Sequence, residues 1–179
     1  GCLMLQPLST DLYLASLPHL GSYFGASPAA VQQTLSLFVI GFGSAQLVSG
    51  PLSDRYGRRP VLLGGLGIYV LASIACGLAP TLPILVASRL VQAIGCCTAV
   101  VVARAIIRDA YPPTEGARMI AKASSLLSLA PLLGPIAGSY LQVSFGWRAA
   151  FAVLTVFALL MAMATTRWLE ETTASRNPA

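Results

Sequence analysis

The chain has very little charge for its length. Only 9% of its 179 residues are Asp, Glu, Lys or Arg, whereas 56% are hydrophobic. Soluble domains carry about 25% charged residues, which cover their water-facing surface. This shortage excludes a soluble globular domain and indicates an integral membrane protein.

Groups that support enzymatic or metal chemistry are also scarce. The sequence has one histidine and four cysteines, and the cysteines lie in apolar contexts without metal-ligand spacing. Such cysteines favour a packing role. Since no constellation of paired acids, clustered histidines or Ser and His lies within the apolar segments, we predict neither an enzyme nor a cofactor. The net charge of +5 comes from arginines in short loops, which argues against a nucleic-acid partner.

Long apolar runs dominate the rest of the chain. A hydrocarbon core of about 30 Å needs roughly 20 helical residues, and long runs without alternation favour helices over barrel strands. We therefore predict an all-α transmembrane bundle over residues 1–168, followed by the start of a cytoplasmic linker at 169–179. The six predicted helices lie at about 1–20, 31–51, 60–79, 82–107, 118–142 and 148–168.

Basic residues in the loops predict the orientation. Eight basic residues lie on one side of the predicted bundle, whereas Arg148 is the only basic loop residue on the other side. Because positively charged loops stay in the cytoplasm, we expect the side with eight basic residues, and with it both ends of this segment, to be cytoplasmic. The first apolar run is short and lacks an initial Met, from which we expect the natural chain to begin earlier. The eight residues on the predicted cytoplasmic side are Arg55, Arg58, Arg59, Arg108, Arg118, Lys122, Arg167 and Arg176.

The loop after the second predicted helix has an ordered set of glycines and charges. Residues 50–60 read GPLSDRYGRRP. Glycine permits close backbone approach, an acid can cap a helix, and arginine can bind a helix end or a lipid phosphate. We interpret this stretch as a gating loop in which Asp54 holds adjacent helix ends; a purely topological basic loop is the alternative. The predicted gating residues are Gly50, Asp54, Arg55, Gly57, Arg58 and Arg59.

Two motifs in the first half resemble those of a known family. Residues 50–62 resemble the loop between the second and third helices of the major facilitator superfamily, and they meet every fixed position of that motif. Residues 7–18 resemble the first-helix motif of the drug:proton antiporters in that superfamily.

Motifs in the second half narrow the resemblance. Residues 89–95 resemble the fourth-helix arginine motif, and residues 131–138 resemble part of the fifth-helix antiporter motif. Together with residues 108–111, they are most similar to the bicyclomycin/chloramphenicol-resistance (Bcr/CflA) branch.

The resemblance implies a fold and a function. It corresponds to the N-terminal half of a twelve-helix transporter, which is built from two three-helix repeats. It implies proton-coupled efflux of small amphipathic drugs, of bicyclomycin or phenicol type, across the inner membrane of a bacterium by alternating access. The implied partners are the lipid bilayer, the drug and a missing C-terminal six-helix bundle, and the proton gradient supplies the energy. A non-transporting scaffold or a self-associating six-helix pore is the alternative.

Two charged residues inside predicted helices are candidates for proton coupling. An ionised acid is costly within a membrane span, which makes Asp11 a candidate proton carrier. Arg89 lies inside the fourth predicted helix and shares a face with Gln92; in the family the matching arginine is linked to coupling. We expect Arg89 to influence Asp11 through space. The alternatives are a wet helix end at Asp11 and an arginine that extends to the outer interface.

Two further groups complete the predicted site. Proline kinks a helix and small residues let helices approach closely, so Gly134, Pro135 and Gly138 predict a bend in the fifth helix. The resemblance implies that this bend blocks a leak, and simple packing is the alternative. Aromatic and amide side chains are predicted to line a drug cavity, although aromatic residues also pack membrane helices. The candidate cavity residues are Tyr13, Phe38, Gln46 and Gln92.

Overall fold

The computed structural model of the chain describes residues 1–169, apart from the side chain of Leu126. Within that range, a single 3-10 turn at Cys2–Met4 precedes eight α-helices. The predicted all-α membrane bundle is confirmed, whereas the predicted linker lies outside the described residues after position 169. The helices are α1 (Leu5–Leu14), α2 (Leu17–Phe24), α3 (Pro28–Tyr56), α4 (Arg58–Leu78), α5 (Leu82–Ala110), α6 (Pro113–Leu127), α7 (Ala130–Phe145) and α8 (Arg148–Trp168).

Five stretches among the described residues are long and apolar enough to cross a membrane. They are α3, α4, α5, α8 and the continuous stretch Pro113–Phe145, which contains α6 and α7. The first apolar segment is divided between α1 and α2. The chain is therefore a multi-pass membrane protein.

Proline explains where two of the predicted helices are interrupted. The structure divides the segment predicted at 1–20 after Leu14, and the segment predicted at 118–142 after Leu127. These residues lie four positions before Pro18 and Pro131, which stand in the first turns of α2 and α7. Proline has no N–H to donate to the carbonyl four residues earlier, so each helix ends where that bond is missing.

The stretch 50–60, which was predicted to be a loop, is helical except at Gly57. Helix α3 continues through Pro51 to Tyr56, and α4 begins at Arg58. Gly57 alone separates them, with a φ of 99°, a backbone conformation that favours glycine. The charged residues therefore lie on the ends of two helices rather than on an extended connection.

Helix α5 lies at the centre of the packing. It packs against both α3 and α4, while α4 also packs against α8, and α1 packs against α7. A Cβ atom on Gly95 of α5 would lie 2.6 Å from the backbone nitrogen of Tyr69 and 2.7 Å from the carbonyl oxygen of Gly65, both on α4. The backbones of α4 and α5 thus touch at this point, as small residues allow in membrane bundles.

Replacing Gly95 by alanine should therefore destabilise the bundle. The added methyl group meets backbone atoms, which cannot rotate away, so α4 and α5 must separate; we expect a loss of about 1–3 kcal/mol in the free energy of unfolding. Thermal unfolding in detergent, followed by circular dichroism, measures the effect. Gly67→Ala is the control, because a Cβ there meets nothing within 4 Å. Equal unfolding temperatures for the two variants would contradict the close α4–α5 contact.

Candidate functional site

A guanidinium group lies fully buried inside the bundle. Arg89 of α5 has 0% relative exposure. Its Nη1 donates to Gln92 Oε1 at 2.6 Å, and its Nη2 donates to the carbonyl oxygen of Ser9 on α1 at 3.1 Å. The guanidinium carbon lies 4.3 Å from the ring centroid of Tyr13 and 4.4 Å from that of Phe38. Hydrogen bonds and aromatic rings thus offset part of the cost of burying the cation.

A hydrogen-bond network extends from Arg89 across three helices. Gln92 Nε2 donates to Ser73 Oγ at 2.7 Å, and Ser73 Oγ donates to the carbonyl oxygen of Tyr69 at 2.7 Å, both on α4. The Tyr69 hydroxyl lies 2.6 Å from Ser9 Oγ on α1, within hydrogen-bond distance. All four side chains are buried, so the network connects α1, α4 and α5 in a setting where each lost bond is costly.

Tyr13 connects this cluster to α3. Its hydroxyl lies 2.6 Å from Thr34 Oγ1, which donates to the carbonyl oxygen of Val31 at 2.6 Å. The Tyr13 ring also lies 5.7 Å from the ring of Phe151 on α8. The aromatic ring beside the arginine is therefore fixed from two sides.

Asp11 lies on a different side of α1 and is half-buried. A Cβ atom on Gly134 of α7 would collide with the Cβ of Asp11, so the two helices touch there. Oδ1 accepts a long hydrogen bond of 3.4 Å from the Thr10 hydroxyl, and Oδ2 is buried without a hydrogen-bond partner among the described residues. Successive helical residues are rotated by about 100°, which separates Asp11 from Ser9 by about 200° around α1.

The two candidate coupling residues consequently form no ion pair among the described residues. Arg89 contacts α1 at Ser9, whereas Asp11 faces α7. Both contacts are made by α1, and only Thr10 lies between the two contacting residues, Ser9 and Asp11.

Gly134 and Gly138, the glycines of the predicted bend in α7, pack against α1. A Cβ atom on Gly138 would lie 2.7 Å from the carbonyl oxygen of Leu12 and 3.1 Å from the Cβ of Ala15. Pro135 is inside α7 and is half-buried. Together with the Gly134 contact, this places both glycines where α7 approaches α1 most closely.

The charged residues around Gly57 connect the ends of four helices. Arg58 Nη1 lies 2.5 Å from Asp54 Oδ1 on α3, and Arg58 Nε donates to Asp109 Oδ2 on α5 at 2.9 Å. Arg59 Nη2 donates to the carbonyl oxygen of Thr166 on α8 at 3.0 Å. Arg58 is buried, whereas Asp54 and Asp109 are exposed, so only the arginine side of each ion pair is shielded from water.

The other predicted gating residues are less engaged. Arg55 is exposed, and its guanidinium carbon lies 5.4 Å from the ring centroid of Tyr56. Gly50 is half-buried on α3, and a Cβ there would meet nothing within 4 Å. The contacts between helices are therefore made by Arg58 and Arg59.

The sequence matches one family along its whole length. The profile described as Major Facilitator Superfamily matches residues 1–179. The chain belongs to the major facilitator superfamily. This membership confirms the predicted family and places the chain among transporters rather than enzymes.

Bacterial members of the superfamily are similar over nearly all of this chain. A protein named chloramphenicol resistance protein, from Pseudomonas aeruginosa, is 36% identical over 174 residues, which are 97% of this chain and 42% of that protein. A protein named multidrug resistance protein MdtL, from Escherichia coli O81 (strain ED1a), is 30% identical over 169 residues, or 94% and 43% of the two chains. The chain thus spans about two fifths of the length of these curated relatives. Their names agree with the predicted Bcr/CflA branch of the superfamily.

Three of the four candidate cavity residues lie together in this member of the superfamily. Tyr13, Phe38 and Gln92 surround Arg89 and are fully or almost fully buried. Gln46 is exposed on α3 and makes none of these contacts. The roles of all four remain predictions.

Sequence reasoning missed several polar residues of the site. It assigned no role to Ser9, Ser73 or Asp109, which bind Arg89, Gln92 and Arg58. A signal was present in the spacing, since Ser9 and Tyr13, like Tyr69 and Ser73, are four residues apart and share a helix face. Because these are ordinary residues in membrane helices, the spacing alone does not single them out.

Replacing Arg58 by methionine should weaken the contact between the helix ends. The change removes ion pairs to two helices and leaves Asp109 without its partner, so we expect a loss of about 2 kcal/mol in the free energy of unfolding. Thermal unfolding in detergent measures it. Arg55→Met removes an equal charge from the neighbouring turn and serves as the control, with an expected change within about 0.5 kcal/mol. Unchanged stability for Arg58→Met would show that these pairs contribute nothing.

Proposed function

We propose that this chain forms one half of a proton-coupled exporter of small amphipathic drugs in the inner membrane of a bacterium. The single observation that carries the proposal is the full burial of Arg89, with its bonds to α1 and α5 and its aromatic neighbours. A buried cation is expensive in a membrane protein and marks a functional site far more often than a packing position. The relatives named for chloramphenicol and multidrug resistance support the choice of drugs as cargo, with phenicols and bicyclomycin as the substrate class.

In this proposal Asp11 carries the proton. Its buried Oδ2 has no hydrogen-bond partner among the described residues, so it is available for protonation. An ionised carboxylate at this depth favours any conformation that hydrates it, whereas the neutral acid is compatible with contact against Gly134 of α7. Proton binding and release at Asp11 therefore shift the balance between conformations, with the proton gradient as the energy source and no cofactor.

Arg89 senses the state of Asp11 through α1. Its Nη2 holds the carbonyl oxygen of Ser9, two residues before Asp11, so a movement of α1 changes both groups together. We propose that the drug binds beside this arginine. In this proposal the buried Tyr13, Phe38 and Gln92 support Arg89 from behind, and the exposed Gln46 of α3 contributes to the wall of the drug cavity.

Alternating access completes the proposal. A second six-helix bundle forms the other wall of the cavity, and the two halves rock about the central site. The relatives are more than twice as long as this chain, which is long enough for such a second bundle. The arginine pairs at Gly57 act as a gate that holds the helix ends of this half together. We further propose that α7 bends at Pro135 and that the close contact of Gly134 and Gly138 with α1 seals the bundle against a leak.

Transport by the complete protein, encoded by the gene that contains this chain, tests the proposal. In everted membrane vesicles with an imposed proton gradient, we expect uptake of chloramphenicol that stops when a protonophore is added. Vesicles without the protein are the control. An inserted, folded protein that moves no drug of this class under a gradient would favour a scaffold and contradict the proposal.

A further inference from the structure

An arginine at one end of the bundle has a fixed position and an uncompensated charge. Arg148 begins α8; its Nε donates to the carbonyl oxygen of Gly77 on α4 at 2.9 Å, and its Nη2 donates to the Tyr23 hydroxyl on α2 at 3.0 Å. Its guanidinium carbon lies 4.4 Å from the ring centroid of Trp147. These partners are neutral, and no acid among residues 1–169 forms an ion pair with Arg148. The guanidinium is thus held in place while its positive charge stays available to an anion.

An apolar groove leads away from this arginine. It has a volume of about 430 Å³ and lies between α4 and α8. Val156 follows Arg148 by about two helical turns, or about 12 Å along α8. The groove is therefore cationic at one end and mostly apolar beyond it. Its apolar walls include Ile74 and Leu78 of α4 and Ala152 and Val156 of α8.

The groove opens on a side of the bundle that carries no candidate cavity or coupling residue. Those residues lie on α1, α3 and α5, and none of the residues that border the cleft at Gly50 and Asp54 borders this groove. Arg58 and Arg59 begin α4, whereas Gly77 lies at its other end. In the proposed transporter the second bundle faces the cavity and gating residues, which leaves this apolar surface to acyl chains. Its other exposed apolar side chains are Leu71, Leu159 and Leu160.

Aromatic residues mark the depth of the arginine in the membrane. Tyrosine and tryptophan are enriched at the level of lipid headgroups, where their rings are apolar and their polar atoms reach water. Tyr23 is exposed beside Arg148, and the Trp147 ring packs against both Tyr23 and the guanidinium. The guanidinium therefore lies at the level of the lipid phosphates, and the groove extends from there toward the acyl chains.

We propose that this groove binds an anionic phospholipid, with its phosphate on Arg148 and one acyl chain along Ile74 and Val156. Arginine binds phosphate oxygens through charge-assisted N–H bonds, and Nη1 of Arg148 donates to none of the residues 1–169. The fixed cation and the apolar walls together fit a charged headgroup with an attached chain, which a free ion lacks. The inference does not depend on drug transport, since it concerns the lipid around the bundle.

Lipid binding to the complete purified protein tests this site. Native mass spectrometry in detergent measures the affinity for phosphatidylglycerol, with zwitterionic phosphatidylethanolamine as a second lipid. Arg148→Gln should weaken the binding of phosphatidylglycerol by about fivefold, the factor that corresponds to about 1 kcal/mol for one basic residue near anionic lipid. The affinity for phosphatidylethanolamine should change less, because its headgroup has no net charge.

An arginine on the same helix provides the control. Arg167 is exposed at the opposite end of α8 and lies outside the groove. Arg167→Gln removes the same charge and should leave the affinity for phosphatidylglycerol within about twofold. An equal loss in this control, or an unchanged affinity in Arg148→Gln, would overturn the proposal.

A second pair of variants tests the apolar wall and leaves Arg148 in place, so it remains decisive if Arg148→Gln fails to fold. Ala152 is exposed and lines the groove, so Ala152→Phe fills the space for an acyl chain without entering the core. We expect a severalfold loss of affinity for phosphatidylglycerol. Val153→Phe adds bulk at the next residue, outside the groove, and should bind the lipid as the wild type does. Equal affinities of these two variants would show that no acyl chain occupies the groove and would contradict the proposal.

Two outcomes would assign the groove to another occupant. Inorganic phosphate that displaces the lipid at comparable concentration would show that a free anion is sufficient. A dimer that appears in the same spectra and releases bound phosphatidylglycerol as it forms would show that a second copy of the protein covers the surface. Either result would overturn the assignment to lipid.

Discussion

Asp11→Asn is expected to reduce proton-driven drug efflux to the level of vesicles that lack the protein. Asparagine has nearly the shape of the acid and fits against Gly134, but it cannot gain or lose a proton. The conformational balance then no longer responds to the gradient. Insertion and thermal stability should be preserved, because the substitution removes the cost of a charge at this depth.

The measurement is uptake of chloramphenicol into everted vesicles under an imposed proton gradient, with protein amount determined by immunoblot. Drug counterflow without a gradient should persist in the variant, since exchange needs no net proton movement. Glu115→Gln removes one acid from the exposed first turn of α6 and is the matched control, with unchanged uptake expected. Gradient-driven uptake at the wild-type rate by Asp11→Asn would eliminate Asp11 as the proton carrier.

Arg89→Lys should abolish most of the efflux even though it keeps the positive charge. The guanidinium reaches Gln92 Oε1 and the Ser9 carbonyl oxygen at once and lies close to two aromatic rings. An ammonium group is a compact, strongly hydrated charge that does not reproduce this planar arrangement. Losing hydrogen bonds of a buried charged group costs about 2–5 kcal/mol, so we also expect a lower unfolding temperature.

Comparison of three variants tests this expectation. Arg89→Met removes the charge as well as its hydrogen bonds; it should be inactive yet more stable than Arg89→Lys, because an apolar side chain often replaces a buried ion at little cost. Arg167→Lys, at the exposed end of α8, is the control and should behave like the wild type. If Arg89→Lys retains wild-type transport and unfolding temperature, the planar contacts of the guanidinium are unnecessary.

The fold class could be predicted because one property of the sequence decides it. Little charge indicates a membrane protein, and long apolar runs without alternation favour helices over barrel strands. The boundaries were harder to predict, since the breaks after Leu14 and Leu127 depend on Pro18 and Pro131 inside otherwise apolar segments. The resemblance indicated the correct family but did not indicate these breaks.

The site was predictable only where its residues share one helix. Arg89 and Gln92 are three residues apart, so their contact follows from helical spacing. The contact of Arg89 with Ser9 joins residues 80 positions apart. Helical periodicity predicts the rotation of about 200° between Ser9 and Asp11. It does not predict which of the two residues faces α5 and which faces α7, because that depends on the packing of all the helices.

Proton movement driven by the drug tests the central claim most directly. Proteoliposomes that contain the complete protein and an internal pH indicator are given a gradient of chloramphenicol and no gradient of protons. We predict that drug movement drives protons in the opposite direction in the wild-type protein and that Asp11→Asn shows no such proton movement. Drug movement by the wild-type protein with no accompanying change of internal pH would contradict the account.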